Sequence, residues 1–120
     1  MVDLLYLLKQ NNKTLFVLSS DSSSTLDPQI NQFGLTGVFN KIYYDVYDKK
    51  TEHQKLILEN NLDIFKTVTI ADTIYELQIG QGLGVSSIGV TWGIHPPEKL
   101  ASIHPSAIAA TIVDLKNLLI

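Results

Sequence analysis

Residues 67–76 read Thr-Val-Thr-Ile-Ala-Asp-Thr-Ile-Tyr-Glu, and this stretch decides the fold. β-branched residues favour a buried strand, so 67–71 is predicted as a strand and 73–81 as the helix that follows. Asp72 then lies where strand gives way to helix, and Glu76 lies about one turn further on, on the same side. Two carboxylates at the carboxyl end of a parallel strand suit a hard divalent cation such as Mg²⁺. On spacing alone, a helix cap at Asp72 and a second acid favoured by the helix dipole is the better interpretation.

The composition is that of an ordinary globular chain. Its 120 residues, 45% hydrophobic and 18% charged, suit a single domain spanning 1–120. No apolar run approaches the roughly 20 residues that cross a bilayer, and the first ten residues lack the basic region of a secretory signal. The chain has no cysteine, which excludes disulfides and thiolate metal sites and fits a cytoplasmic location. All nine basic residues are lysines and the net charge is −3, so neither nucleic acid nor a membrane is an expected partner.

Hydrophobic periodicity and turn signals predict an alternation of strands and helices on both sides of the opening stretch. The other predicted strands are 14–18, 41–44, 86–92 and 107–110. The other predicted helices are 3–10, 26–33, 51–60, 98–101 and 112–119. Such alternation is typical of a parallel sheet covered by helices, and right-handed crossovers bring the carboxyl ends of the strands to one edge. Ser19, Asp72 and Trp92-Gly93 would all lie on that edge.

The glycines of residues 80–84 and the serines that begin at Ser19 resemble a dinucleotide-binding loop and a nucleophilic-serine motif, but neither motif is complete. The glycines of residues 80–84 end a helix, whereas a dinucleotide-binding loop must follow a strand and open a helix. Gly84 is therefore predicted as a helix stop. Ser19-Ser20-Asp21 lacks both the glycine elbow and the placed histidine of a nucleophilic serine, and residues 20–25 are predicted as a polar loop.

The histidines are predicted to lie on the surface or in loops, and the lysine pair on a solvated face. His53, His95 and His104 are scattered along the chain, and none has the i, i+4 partner of a helical metal pair. Lys49-Lys50 precedes the helix predicted at 51–60, and such a pair is usually solvated. A lysine that reached the strand-end edge could hold a phosphate or offset the repulsion between the two acids.

Four segments follow one another in an order that resembles a known family. They are Leu-Phe-Val-Leu-Ser-Ser at 15–20, Phe-Gly-Leu-Thr-Gly-Val-Phe at 33–39, Lys50 before a helix, and 71–93, from Ala-Asp-Thr-Ile-Tyr-Glu to Gly-Val-Thr-Trp-Gly. Together they resemble the haloacid dehalogenase superfamily, in particular its phosphoglycolate-phosphatase-like branch, over nearly the whole chain. The resemblance implies an α/β fold with a three-layer, Rossmann-like parallel sheet. It also implies Mg²⁺-dependent hydrolysis of a phosphorylated small molecule.

The same resemblance implies roles for individual residues. Ser19 matches the hydroxyl of the second motif, which hydrogen-bonds the transferring phosphoryl group. Lys50, or alternatively Lys49, is similar to the third motif's lysine, which stabilises the phospho-intermediate. Asp72 resembles the first acid of the fourth motif, a Mg²⁺ ligand, and Glu76 stands in for its second acid.

The family's first motif is absent from its expected place. A nucleophilic aspartate with a second acid two residues later, in a DxDGTL-type sequence, should precede Ser19, yet Asp3 is the only acid there. The chain therefore resembles the latter part of such an enzyme, without the central strand and the cap. Residues 21–27 partly mimic the motif with Asp21 as nucleophile, but that alignment leaves no second motif. A mild departure is Ala71, where the family usually has glycine, which could crowd the site.

Two hypotheses follow for function and assembly. The first is a phosphomonoester hydrolase that is inactive alone, its first motif being supplied by a second polypeptide or an upstream N-terminal segment. The second is a degenerate, non-catalytic binding or assembly module of the same fold. In the family the absent strand lies between those predicted here at 14–18 and 67–71. Because an unpaired buried backbone group costs about 1–3 kcal/mol, we expect the chain to associate, as a homodimer that covers the gap.

Overall fold

The computed structural model describes residues 1–120 as an alternation of helices and parallel strands. The helices are α1 (Val2–Gln10), α2 (Ser23–Gln32), α3 (Lys49–Glu59), α4 (Ile74–Gly82), α5 (Pro97–Ala101) and α6 (Ile112–Leu119), with a 3₁₀ turn at Ile64–Lys66. The strands are β1 (Phe16–Leu18), β2 (Lys41–Tyr43), β3 (Val68–Ala71), β4 (Ser86–Val90) and β5 (Ala107–Ala109). None of the helices has the length and apolar character that a membrane crossing requires.

The strands form two parallel sheets, one in each of two compact units. In the unit Met1–Glu52, β1 pairs with β2, and in the unit His53–Ile120, β4 lies between β3 and β5. Parallel pairs need a crossover connection, which the intervening helices provide. The α/β, Rossmann-like fold class predicted from the sequence is confirmed. β1 and β3 are each an edge strand of their own sheet.

The core of the second unit fixes the end of β3. Ala71, the last residue of that strand, packs in a buried cluster with Leu77 of α4 and Leu100 of α5. α4 lies unusually close to the strand because Gly80 has no side chain. A Cβ built at Gly80 would lie 2.8 Å from the hydroxyl oxygen of Thr69. Packing therefore fixes both the end of β3, which precedes Asp72, and the position of α4, which follows it.

Two helices begin more than one residue away from their predicted starts. α2 begins at Ser23, so residues 23–25 are helical and not loop, and Pro28 lies inside the helix. The loop prediction was wrong for these three residues, because the Ser22 carbonyl accepts the N–H groups of Thr25 and Leu26 at 3.1 and 3.0 Å and so starts the helix. α3 begins at Lys49 because Asp48 caps it, accepting from the N–H and the hydroxyl of Thr51 at 3.1 and 2.8 Å. These hydrogen bonds lower the pKa of the Asp48 carboxyl.

His53 and His95 are buried and His104 is exposed. The prediction of surface or loop positions was wrong for His53, which lies in α3, and right for His95 and His104, which lie in loops. His53 lies on the inner face of α3, three residues before buried Leu56, and its Nε2 is 3.3 Å from the Thr69 hydroxyl. Burial lowers the pKa of His53. His95 is buried in the loop before α5. Helical spacing could have revealed His53, but the position of His95 depends on contacts distant in sequence.

Candidate active site

Asp72 directly follows β3 and stands outside the helix that comes after it. α4 begins at Ile74 with Thr73 as its N-cap, whose hydroxyl oxygen accepts the N–H of Glu76 at 3.5 Å. The interpretation of Asp72 as the helix cap, which spacing alone favoured, is therefore wrong. Thr73 performs that role, and the half-buried carboxylate of Asp72 is left for other partners.

The loop that follows β4 folds around Asp72. The Ile94 N–H donates to Oδ2 of Asp72 at 3.0 Å, and the His95 N–H donates to the main-chain carbonyl of Asp72 at 3.0 Å. Gly93 makes this approach possible, because a Cβ at that position would lie 2.1 Å from the same Oδ2. No hydrogen bond reaches the other carboxylate oxygen, Oδ1. One oxygen of Asp72 is thus anchored while the second keeps its full capacity to bind a cation.

A hydrogen bond in the opposite direction, from the start of α4 to the side chain of His95, also joins the loop to the helix. Its Nδ1 accepts the N–H of Ile74, the first residue of α4, at 3.0 Å. An accepting Nδ1 implies the neutral imidazole with its proton on Nε2. The ring also meets the edge of Tyr75, with centroids 5.5 Å apart and planes at 67°. Sequence reasoning missed this role, and the available signal was a histidine placed between Gly93 and the two prolines that open α5.

Glu76 is half-buried in the first turn of α4, where the positive end of the helix dipole favours a carboxylate. No group of three or more His, Cys, Asp or Glu side chains is arranged to hold a metal. Mg²⁺ commonly binds through one or two carboxylates and completes its shell with waters and substrate phosphate. The carboxylates of Asp72 and Glu76 therefore fit this ion in chemical kind, although they do not form a closed protein cage.

Ser19 lies at the corresponding strand end of the first unit. Its N–H donates to the Tyr43 carbonyl at 3.0 Å, its carbonyl accepts the Val46 N–H at 2.9 Å, and its Oγ accepts the Asp21 N–H at 3.1 Å. These bonds hold the hydroxyl at the end of β1, and its own proton remains available to a ligand oxygen.

The lysine pair lies in the first turn of α3, and not before the helix as predicted. Lys49 is half-buried and Lys50 is exposed. Ser19 and both lysines belong to the first unit, whereas Asp72 and Glu76 belong to the second. The candidate residues therefore fall into two groups by unit, a hydroxyl and two lysines in the first and two carboxylates in the second. The assignment of Ser19, Lys50, Asp72 and Glu76 to one site stays a prediction.

Parallel strands joined by helices, with a hydroxyl after β1 and an anchored carboxylate after β3, define an α/β protein with reactive groups at its strand ends. Residues 1–90 match the family described as haloacid dehalogenase-like hydrolase, and the chain belongs to that family. The resemblance inferred from the ordered motifs is confirmed.

Similar proteins include phosphatases. The chain is 28% identical over 119 residues to the probable phosphatase IndB of Dickeya dadantii, covering 95% of this chain and 52% of that protein. It is 22% identical over 115 residues to a phosphoglycolate phosphatase of Synechococcus elongatus, covering 94% and 54% respectively. A predicted phosphatase from Clostridium acetobutylicum has the same fold, with a TM-score of 0.87 at 21% identity over 98% of this chain and 56% of that one. The chain spans about half the length of the curated relatives that it matches.

Proposed function

We propose that this chain forms the cation-binding and phosphate-binding part of a Mg²⁺-dependent phosphomonoester hydrolase, and that it does not hydrolyse esters unaided. The observation that carries the proposal is the state of the Asp72 carboxylate, with Oδ2 held by the Ile94 N–H and Oδ1 unbonded. Family membership and the phosphatases among the relatives support a phosphorylated small molecule as the ligand.

Each side chain has a defined task in this proposal. Asp72 and Glu76 hold the cation, which when bound neutralises charge on the phosphoryl oxygens. The Ser19 hydroxyl donates a hydrogen bond to a phosphoryl oxygen. Lys50, or Lys49, places an ammonium charge against the anion that develops during transfer.

The lack of unaided turnover follows from what covalent phosphoryl transfer requires. A carboxylate must attack phosphorus, and a second acid must protonate the leaving oxygen. The described residues place no such pair next to a strand end in the family's DxDGTL pattern. The missing groups would come from another polypeptide segment, so the chain alone should bind the phosphate without cleaving its ester.

Cation binding is the first test. Calorimetric titration with Mg²⁺ and with Mn²⁺ is expected to show one site in the wild-type chain. Asp72→Asn should weaken it at least about tenfold, equivalent to about 1.4 kcal/mol. Asp3→Asn, which alters an exposed carboxylate in the first turn of α1, is the matched control and should leave binding unchanged. Equal binding in all three proteins would overturn the assignment of Asp72.

Hydrolysis of p-nitrophenyl phosphate separates the enzyme from a non-catalytic module. No turnover above the Mg²⁺ background is expected, together with binding of inorganic phosphate that depends on Mg²⁺. Turnover that Asp72→Asn abolishes would refute the lack of unaided activity while confirming the site. If neither cation nor phosphate binds, the chain is a degenerate binding or assembly module of the same fold.

A double-mutant cycle tests whether the two groups act on one ligand. Mg²⁺-dependent phosphate affinity is measured in Ser19→Ala, in Asp72→Asn and in the double variant. Groups that share a ligand should show a coupling energy of about 0.5 kcal/mol or more. Strictly additive effects would mean that Ser19 and Asp72 serve different ligands, which would refute the single site.

Self-association is a further part of the proposal. β3 has a hydrogen-bonded neighbour on one side only, and two apolar side chains on it, Val68 and Ile70, are about 40% exposed. Such an edge attracts other strands, and β3 has no lysine or proline to prevent this. A homodimer is expected, weakened by Ile70→Lys but not by Val113→Lys, which changes an exposed residue of α6. Sedimentation of the wild type as a monomer at micromolar concentration would contradict this.

A further inference from the structure

Three hydrogen bonds, each donated by a main-chain N–H, join the loop between β4 and α5 to Asp72 and to the first residue of α4. Ile94 and His95 each donate an N–H to Asp72, one to its carboxylate and one to its carbonyl. In return, Ile74 donates its N–H to the imidazole of His95. All three distances are 3.0 Å, and the segments are about twenty residues apart in sequence. The loop and the start of α4 are thus fastened to each other in both directions, with Asp72 between them.

The contact at the start of α4 is unusual for a helix in this chain. α6 satisfies its first N–H groups with its own Thr111 and Asp114 in a capping box. In α4 the side chain of the N-cap Thr73 accepts only one N–H, and the acceptor for a second N–H comes from a different loop. The first N–H groups of a helix have no partner within the helix, so an acceptor for one of them stabilises the helix start. Because this acceptor is the His95 side chain, the same hydrogen bond joins the start of α4 to the loop before α5.

We propose that His95 is a positioning residue for Asp72. By accepting the Ile74 N–H, its Nδ1 holds the loop so that the Ile94 N–H retains Oδ2 of Asp72 and leaves Oδ1 for a cation. The inference rests on the proposed function for its cation, but the hydrogen-bond linkage itself can be tested without one. The ring is 9% exposed and is flanked by Tyr75, whose ring in turn lies 6.0 Å from the Lys99 ammonium, so its orientation is fixed by packing.

Substitutions at position 95 distinguish the effect of losing the hydrogen-bond acceptor from the effect of losing the imidazole ring. Asparagine places an oxygen at the same number of bonds from the backbone as Nδ1, so His95→Asn keeps the acceptor. His95→Leu keeps much of the volume and removes it, and His95→Gln moves the acceptor one bond further away. His104→Asn is the matched control, since His104 is exposed and its imidazole makes no hydrogen bond.

The first readout is amide hydrogen exchange by NMR, measured without metal. In the wild type, His95→Asn and His104→Asn, the amides of Ile74 and Ile94 should both be protected. In His95→Leu both should exchange faster, although only Ile74 loses its direct partner, and the Asp72 carboxyl carbon resonance should shift. Loss of protection at Ile74 alone would reduce His95 to a helix cap and overturn the proposal. If His95→Leu does not fold, His95→Gln gives the same comparison.

The second readout is Mn²⁺ affinity, determined on folded protein at a temperature well below unfolding. Residues that orient a metal ligand typically alter affinity ten- to a hundredfold, so about a tenfold loss is expected in His95→Leu. Restoration to within about twofold is expected in His95→Asn. Equal affinity in all variants with a lowered unfolding temperature would refute positioning and leave a purely structural role. If the wild type binds no Mn²⁺, the proposed function fails, and the coupled exchange of Ile74 and Ile94 still decides the linkage.

Discussion

Gly93→Ala should disrupt the anchoring of Asp72 more than any other single methyl group added to the loop. A Cβ at Gly93 would lie 2.1 Å from Oδ2, 2.2 Å from Cβ and 2.6 Å from Cγ of Asp72. Rotation of the Asp72 side chain can move the oxygen and Cγ but not its Cβ. Since carbon atoms pack at about 3.5 Å or more, the backbone must separate by about 1.3 Å. That movement also breaks the 3.0 Å bond from the Ile94 N–H to Oδ2.

The magnitude follows from these two effects. Overpacking in a fitted contact costs about 1–3 kcal/mol, and a hydrogen bond to a charged group contributes about 1.5–3 kcal/mol. The carboxylate is half-exposed and water can replace the N–H, so the two do not sum fully. We expect a loss of about 2–3 kcal/mol in unfolding free energy, or about 8–12 °C in Tm for a chain of this size. Urea and thermal unfolding followed by circular dichroism measure it.

Matched variants show whether the clash is the cause. Gly82→Ala in α4 meets nothing within 4 Å and should stabilise by up to about 1 kcal/mol. In an Asp72→Gly background the clashing Cβ is gone, so the cost of Gly93→Ala should nearly vanish. In an Asp72→Ala background, which keeps that Cβ, most of it should remain. A Gly93→Ala protein within about 0.5 kcal/mol of wild type would refute the reasoning.

Other substitutions test the packing of α4, the buried histidine and the cap of α6. Gly80→Ala should lose about 1–3 kcal/mol in urea unfolding, because its Cβ would lie 2.8 Å from the Thr69 hydroxyl oxygen, and Thr69→Ala should restore part of it; equal loss in both backgrounds would contradict this. Burial lowers the pKa of His53 in the folded state, so the unfolded state binds more protons and stability should fall as pH drops below about 6.5. His53→Gln should flatten that dependence in Tm measured from pH 8 to pH 5, and His104→Gln should not. Thr111→Ala should cost about 1 kcal/mol in thermal unfolding, because its hydroxyl accepts a helical N–H at 3.1 Å, and an unchanged Tm would argue against the cap.

The sequence predicted what depends on local pattern. The β-branched run before Asp72 specified a strand, and Gly84 specified the end of the helix that follows it, where φ is +79°. Hydrophobic periodicity within each segment predicted the alternating α/β order, and the ordered motifs indicated the family. Each element and each motif is encoded within a few residues, so no tertiary contact was needed to detect it.

Loop placement could not be predicted in this way. Whether Asp72 or Thr73 caps α4 depends on which side chain can reach the N–H groups, and the loop containing Gly93 competes for Asp72 from about twenty residues away. His95 has no periodic signal, since its partner is a backbone N–H that any residue type would offer. A strand–loop–helix pattern therefore locates a candidate carboxylate but does not reveal how it is held.

One added strand would both pair with the open edge of β3 and bring a further cation ligand to Asp72. A strand that paired with this edge in parallel would run about 4.8 Å from β3 and end on the same side as Asp72. A carboxylate following that strand would therefore lie at the same edge of the sheet as Asp72, where a cation needs further oxygen ligands. The same segment would satisfy the free backbone groups of β3 and supply an acid to the site. Binding of such a segment to the chain should consequently raise the cation affinity, and Ile70→Lys should weaken both the association with the segment and the cation affinity although it removes no ligand. Loss of association with cation affinity unchanged would show that the edge and the site are independent.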